Sequence, residues 1–121
     1  GCKRVITNLE RFQNSDLYQR MKGADRLYHE TPFSLPRDGE GPLIGVIDAL
    51  FLEEEKWVLV EFKTDRIYNK EAFSKLWKEK DYQSQVEGYL KAAETLLGTR
   101  PEPVLCFLNY EKRVHLVTDR W

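Results

Sequence analysis

Two neighbouring apolar runs, each carrying charged residues, constrain this chain most. The runs VIDALFL (46–52) and WVLVEF (57–62) read as two strands joined by a tight charged turn. Asp48 lies inside the first run, and Glu61 and Lys63 lie at the end of the second. Charged side chains are rarely buried unless they are paired or bound to a metal ion. The pattern therefore indicates a polar site set among core strands.

The position of the turn predicts how the two strands pair. A turn at residues 54–55 places Asp48 directly opposite Glu61, and Lys63 points the same way as Glu61 because alternate strand residues share a face. Opposed carboxylates repel each other and destabilise a sheet, and a divalent cation between them would remove that penalty. A register slip of one residue would break the arrangement. An exposed strand position is the alternative for Asp48 taken alone.

Four short segments together resemble the active-site signature of a nuclease superfamily. GVID (45–48) and VEFKT (60–64) are similar to the Asp and Glu-x-Lys strands of the PD-(D/E)XK nucleases, and more narrowly to those of RecB/AddA-type nuclease domains. HETPF (29–33) resembles the E-x-P-F strand that precedes the Asp strand in that family. Tyr82, Gln85 and Tyr89 resemble the helix motif that follows the Lys strand. The resemblance covers about residues 27–117, which is most of the chain.

That resemblance implies a metal-dependent active site. Asp48 and Glu61 would be the side-chain ligands of Mg²⁺ or Mn²⁺, and the carbonyl of Phe62 would be a backbone ligand. Lys63 would either help to deprotonate the attacking water or stabilise charge on the phosphate, and both roles stay open. Glu30 would hold a water or a second metal ion. The alternative for Glu30 is an exposed strand residue that pairs with a Lys or Arg.

The helix motif and an upstream histidine extend the implied site. Gln85 and Tyr89 would face the carboxylates and touch a phosphate or a metal-bound water, with a satisfied polar position at the helix edge as the alternative for Gln85. RecB-like domains also carry a metal-ligating His upstream of the E-x-P-F strand, and we expect its equivalent to lie outside this sequence. We therefore expect a piece of a larger protein that cleaves DNA weakly or not at all by itself.

Cations and aromatic residues interleave after the Lys63 strand. Such a track could follow a single-stranded backbone and stack its bases, although an ordinary solvated helix face is the alternative. The track contains Arg66, Tyr68, Lys70, Phe73, Lys75, Trp77, Lys78 and Lys80. The predicted nucleic-acid contacts are Lys75, Lys78, Tyr82, Gln85 and Tyr89.

Length and charge limit the remaining classes. At 121 residues the chain fits one domain. The net charge of −1 means that any surface for nucleic acid must be locally basic. The sequence has no apolar run near the roughly 20 residues that cross a membrane. We expect a cytoplasmic protein without membrane contact.

The predicted fold is α/β with a restriction-endonuclease-like core. It has a mixed sheet of four or five strands flanked by helices, in the order α-β-β-β-α-β. Residues 1–26 form an N-terminal helical segment and residues 27–121 form the nuclease core of a single domain.

The predicted function is a Mg²⁺- or Mn²⁺-dependent (exo)deoxyribonuclease domain. It would belong to a UvrD/Rep-like helicase–nuclease in DNA repair or recombination, and its partners would be DNA, the rest of that chain and a second protein of the complex. The alternatives are a nuclease-fold module that binds DNA or a partner without cutting, and a stand-alone exonuclease of the same superfamily.

Overall fold

A computed structural model describes residues 2–121, with side chains described from residue 6 onward. The elements are α1 (Cys2–Gln13), α2 (Asp16–Lys22), β1 (Arg26–Leu35), β2 (Leu43–Glu53), β3 (Lys56–Lys63), α3 (Lys70–Lys80), α4 (Tyr82–Leu97), β4 (Glu102–Tyr110) and β5 (Arg113–Val117). The predicted N-terminal helical segment contains α1 and α2, and its first residue, Gly1, lies outside the described residues. Among the described residues, none of the helices combines the length and apolar character needed to span a bilayer.

The five strands form one mixed sheet in chain order, β1-β2-β3-β4-β5. Neighbouring strands are antiparallel except β3 and β4, which are parallel and are joined by the crossover through α3 and α4. This is the predicted α/β class, with a mixed sheet between helices. The sequence by itself does not indicate which strand pair is parallel.

Strict alternation along β3 and β4 builds two cores, one on each face of the sheet. Leu59 of β3 packs with α3 and α4, in a core that also contains Phe107. Val58 and Val60, on either side of Leu59, pack with α1 and α2 together with Phe51. Both faces are covered, so β3 and β4 read as nearly continuous apolar runs.

The β2–β3 hairpin has the predicted turn and register. Glu54 and Glu55 form the turn with φ of 49° and 68°, and Leu50 pairs with Leu59. Positive φ at both central positions is typical of a type I′ turn, whose twist matches that of the flanking strands. The register is set by this turn and by the alternation on both sides of it.

The helices begin at identifiable caps. Ser15 accepts a hydrogen bond from the Tyr18 amide at the start of α2, and Asn69 accepts one from the Ala72 amide at the start of α3. Helix α4 buries Val86 and Ala93. Leu96 shares the apolar character of these residues, yet its side chain is 59% exposed. It lies about 60° around the helix from Ala93, outside the buried stripe.

Candidate active site

The β2–β3 ladder ends just before the two acidic residues. Beyond that point, their side-chain carboxylates accept hydrogen bonds from the backbone amides. Ala49 with Val60 is the last regular pair. Beyond it, the Asp48 amide donates to Glu61 Oε1 at 3.1 Å, and the Phe62 amide donates to Asp48 Oδ2 at 2.7 Å. Each carboxylate thus accepts from the backbone of the opposite strand. The acids converge, but the predicted regular cross-strand pair of Asp48 and Glu61 is wrong because the ladder has already opened.

The β2–β3 ladder ends at Asp48, where the alternation of β2 side chains between the two faces of the sheet shifts by one residue. Ile47 and Leu50 pack in the same core on the α3/α4 face, whereas Ala49 packs on the α1/α2 face. In a regular strand, residues 47 and 49 would share a face. Asp48 therefore lies where the alternation of β2 shifts by one residue, and its side chain reaches across to the amide of Phe62.

Strand β1 is distorted at the same level. Its pairing with β2 passes from His29–Ala49 directly to Thr31–Ile47, and the intervening Glu30 has a φ of 50°. A left-handed backbone is unusual for a glutamate and marks a local distortion. Glu30 is exposed beside the opening. It remains a predicted outer member of the site.

Glu61 is the most perturbed acid in the site. It is only 4% exposed, and burial, followed by the nearby charge of Asp48, raises its pKa to about 8. The Asp48 amide and the charge of Lys63 act in the opposite direction and lower its pKa. Two converging carboxyl groups without a cation therefore retain a proton near neutral pH. A bound cation would displace that proton.

Lys63 follows Glu61 on the same face of β3. Its Nζ lies 5.1 Å from the centroid of the Tyr82 ring. The Tyr82 hydroxyl donates to Asp65 Oδ2 at 3.3 Å, and burial together with Asp65 raises the pKa of Tyr82 to about 12. Tyr82 is 3% exposed and has no ring face open to a nucleobase. This corrects the prediction that Tyr82 contacts nucleic acid, and it makes Tyr82 a support for Lys63.

Tyr89 borders the acids from helix α4. Its pKa is raised by burial first and then by the charges of Glu61 and Asp48, so its hydroxyl lies within their field. The ring packs edge-on against Phe33, with centroids 5.3 Å apart. A Cβ on Gly45 would lie 2.8 Å from Phe33 and 3.2 Å from Tyr89. The glycine three residues before Asp48 therefore allows the close approach of these two rings.

Gln85 lies on the surface near the start of α4. Its Nε2 donates to the Lys80 carbonyl at 2.9 Å, across the junction between α3 and α4. One residue corresponds to about 100° of helix rotation, so burial of Val86 turns Gln85 to the side. The structure brings together Asp48, Glu61, Lys63 and Tyr89, whereas the role of Gln85 stays a prediction.

The predicted basic track is only partly on the surface. Lys75 and Lys78 are exposed, and Lys75 Nζ lies 4.0 Å from the Glu79 carboxylate. Phe73 is 6% exposed and Trp77 is half-buried, so these rings pack inward rather than toward bases. The prediction of an interleaved stacking track along α3 is wrong for these rings, because they form the apolar face of the helix.

The donor set of this site suits a hard divalent cation. Among the described residues, no group of three or more His, Cys, Asp or Glu side chains is placed to hold a metal ion. The side-chain oxygens that converge here are those of Asp48 and Glu61. Mg²⁺ takes oxygen ligands and keeps several waters, so two carboxylates with a carbonyl suit it.

The chain is similar in sequence to one region of several bacterial proteins. Each of them is named as a subunit of an ATP-dependent helicase/nuclease. The chain is 33% identical to the protein from Carboxydothermus hydrogenoformans over 92% of its own length, 35% identical to that from Lysinibacillus sphaericus over 90%, and 32% identical to that from Heliobacterium modesticaldum over 81%. It spans 10%, 10% and 8% of these relatives. The chain is thus homologous to a small region of these helicase/nuclease proteins.

No protein-family model matches the chain. The solved structure of protein VC1899 from Vibrio cholerae is 14% identical, with a TM-score of 0.47 over 85% of this chain and 22% of that one.

Proposed function

We propose that this chain is the nuclease domain of a RecB/AddA-type helicase–nuclease that acts in DNA repair or recombination. The convergence of Asp48 and Glu61, each accepting a backbone amide of the other strand, is the observation that carries the proposal. The helicase/nuclease names of the relatives support it. The reaction would be hydrolysis of a DNA phosphodiester bond at a PD-(D/E)XK site in a restriction-endonuclease-like core.

Asp48, Glu61 and the Phe62 carbonyl would hold Mg²⁺ or Mn²⁺. The bound ion would supply Lewis-acid stabilisation of the phosphoryl oxygens and activation of the nucleophilic water. The hydrogen bonds that the two carboxylates accept from backbone amides hold them in place before any ligand binds. Because Glu61 carries a proton in the metal-free site near neutral pH, ion binding would release that proton.

Lys63 would provide the positive charge beside the scissile phosphate. Its ammonium lies over the Tyr82 ring, and the hydrogen bond from the Tyr82 hydroxyl to Asp65 holds that ring in place. From this position Lys63 would orient the attacking water or bind a phosphate oxygen. Tyr89 would border the two carboxylates from helix α4 and limit the access of bulk water to them.

The proposed partners follow from the relatives. The chain would work as one part of a long helicase–nuclease polypeptide, of which it matches about a tenth, and a second protein would complete the enzyme. DNA would reach the carboxylates through the rest of that assembly. The expected activity of the chain alone is therefore weak.

A cleavage assay tests the proposed activity. Linear single- and double-stranded DNA is incubated with excess protein and Mg²⁺ or Mn²⁺, and the products are resolved on a denaturing gel. Wild type should cleave, and Lys63→Ala should lose at least about 100-fold in rate, as expected for loss of a charge-stabilising group. Lys56→Ala, at the exposed start of the same strand, is the matched control and should retain activity. The proposal fails if wild type and Lys63→Ala cleave DNA equally well, both in this chain and in the longer helicase–nuclease polypeptide.

A further inference from the structure

We propose that a single nucleic-acid strand leaves the active site over the edge of the sheet formed by the β3–α3 loop and the β4–β5 turn. A base would stack on Tyr68, and phosphates would bind Arg66, Lys112, Arg113 and Arg11. This inference rests on the proposed nuclease function, and it adds the path of the substrate. Arg66 and Tyr68 belong to the track of cations and aromatic residues considered from the sequence, whereas Arg11, Lys112 and Arg113 do not.

The surface proposed for the strand lies at the carboxyl ends of β3 and β4. These two strands are parallel, so both end on the same side of the sheet. The loop after β3 runs beside the end of β4, where the Ile67 amide donates to the Asn109 carbonyl at 2.9 Å. The Glu111 amide then donates to the Ile67 carbonyl at 2.7 Å. These two bonds hold the loop against the β4–β5 turn, so residues distant in sequence form one surface.

Tyr68 has the geometry of a stacking platform. It is 65% exposed, the largest exposure of any aromatic side chain among the described large hydrophobics. The Cζ of Arg66 lies 4.8 Å from the ring centroid, so the guanidinium covers one side and leaves the other to a ligand. Buried Ile67 between them anchors the backbone. A rigid ring beside a guanidinium is the arrangement on which single-stranded bases stack.

A basic groove continues from this platform. A cavity of about 150 Å³ lies between the loop and the turn, lined by Arg66, Tyr68 and Lys112. A second cavity of about 480 Å³ shares Lys112 and continues past Arg113 to Arg11 at the end of α1. Lys112 lines both cavities, so the two adjoin at the β4–β5 turn, and together they are called the basic groove.

The groove carries more positive than negative charge. Its walls hold Arg66, Lys112, Arg113 and Arg11 against Glu111 and Asp16. Over the described residues, ion pairs involve none of these four cations, and Arg11 instead donates to the neutral amide of Asn8 at 2.9 Å. Cations that are not neutralised locally attract a phosphate backbone, even though the chain as a whole carries a net charge of −1.

The platform is within a few nucleotides of the acids. Tyr68 follows Lys63 by five residues, so their Cα atoms are at most about 18 Å apart. An extended single strand covers that distance in about three nucleotides. A strand whose scissile phosphate lies at the carboxylates would thus place a nearby base on Tyr68.

Binding of fluorescein-labelled oligothymidylate, measured by anisotropy in EDTA, tests this path. Tyr68→Ala should weaken binding about 5-fold or more, while Tyr68→Phe should stay within about 2-fold, because the ring and not the hydroxyl stacks. Tyr28→Ala is the control, since Tyr28 is an exposed ring on β1, at the far edge of the sheet. An all-abasic oligonucleotide should bind Tyr68→Ala and wild type equally.

Charge reversal at two exposed lysines tests the contribution of the basic groove to binding. Lys112→Glu should weaken binding and reduce the slope of log affinity against log salt by about 0.7 or more, whereas Lys56→Glu, at the β2–β3 turn, should behave as wild type. Equal binding by wild type, Tyr68→Ala and Lys112→Glu would overturn the path, as would no binding by wild type.

These measurements separate the path from the proposed function because hydrolysis is blocked in EDTA. Binding that depends on Tyr68, in a protein whose longer helicase–nuclease chain cleaves DNA equally well after Lys63→Ala, would keep the path and reject the function. Cleavage that depends on Lys63 in a protein insensitive to Tyr68→Ala would keep the function and reject the path.

Discussion

The metal-free protein should become less stable as pH rises through neutrality, and Glu61 should be the cause. Burial and Asp48 raise the pKa of Glu61 from 4.5 to about 8 in the folded chain. Between these values the folded state binds a proton that the unfolded state has released, so the free energy of unfolding falls as pH increases. The stabilisation is fully present below the unfolded pKa and is lost as pH rises through the folded pKa.

The size of this effect is measurable. One pKa unit corresponds to about 1.4 kcal/mol, so the loss between about pH 5 and about pH 8 is of order 3 kcal/mol. A domain of this length has an unfolding free energy of about 6–18 kcal/mol, so the loss is a substantial fraction of it.

Urea unfolding in EDTA at a series of pH values measures it. The matched variant is Glu61→Gln, whose carbonyl can still accept the Asp48 amide but which cannot ionise. The variant should show a much flatter pH dependence and should exceed wild type in stability at about pH 8. Parallel pH profiles for the two proteins would refute the reasoning, because they would show that Glu61 does not hold the proton.

Three further predictions concern the scaffold. Gly45→Ala should lose about 1–3 kcal/mol in urea unfolding, because its Cβ would collide with Phe33, whereas Gly41→Ala meets open space and should unfold as wild type; equal losses would contradict the close approach. Glu55→Gly should raise the unfolding free energy by about 1 kcal/mol, since Glu55 has a φ of 68°; a lower urea midpoint would argue against strain there. Cys106 is fully buried and burial raises its pKa to about 12, so it should react with a thiol reagent only on unfolding; a label located on the Cys106 peptide of the native protein by mass spectrometry would contradict this.

Local patterns were sufficient for most of the architecture. The alternation of apolar residues on both sides of the turn at 54–55 determines which residues of β2 and β3 pair, because a slip of one residue would expose a core face. The Ser15 and Asn69 caps mark helix starts that are visible in the sequence. The parallel pairing of β3 with β4 depends on how α3 and α4 cross the sheet, which no short segment encodes.

The site was less accessible to the same reasoning. The order of Asp48, Glu61 and Lys63 indicated convergence, but not that each acid would replace a ladder acceptor, since that requires the alternation of β2 to slip. The left-handed Glu30 is the matching distortion on β1 and has no glycine or asparagine to signal it.

Aromatic residues were the other source of error. Phe73 and Tyr82 alternate with lysines in sequence, yet helical geometry turns both rings into the core. Tyr68 precedes helix α3. Its neighbour Ile67 is buried and pairs with Tyr110 of β4, so the Tyr68 ring points to solvent. Tyr68 lines a cavity together with Lys112 because the loop after β3 lies against the β4–β5 turn, and short sequence patterns do not indicate that proximity.

Calorimetric titration of Mn²⁺ into wild type and Asp48→Ala at about pH 8 tests the cation site most directly. We predict one Mn²⁺ site in wild type, weak in the absence of DNA, with proton uptake by buffer that reports ionisation of Glu61. We also predict loss of that site in Asp48→Ala. Equal Mn²⁺ binding by the two proteins would contradict the claim that Asp48 and Glu61 share a metal ion.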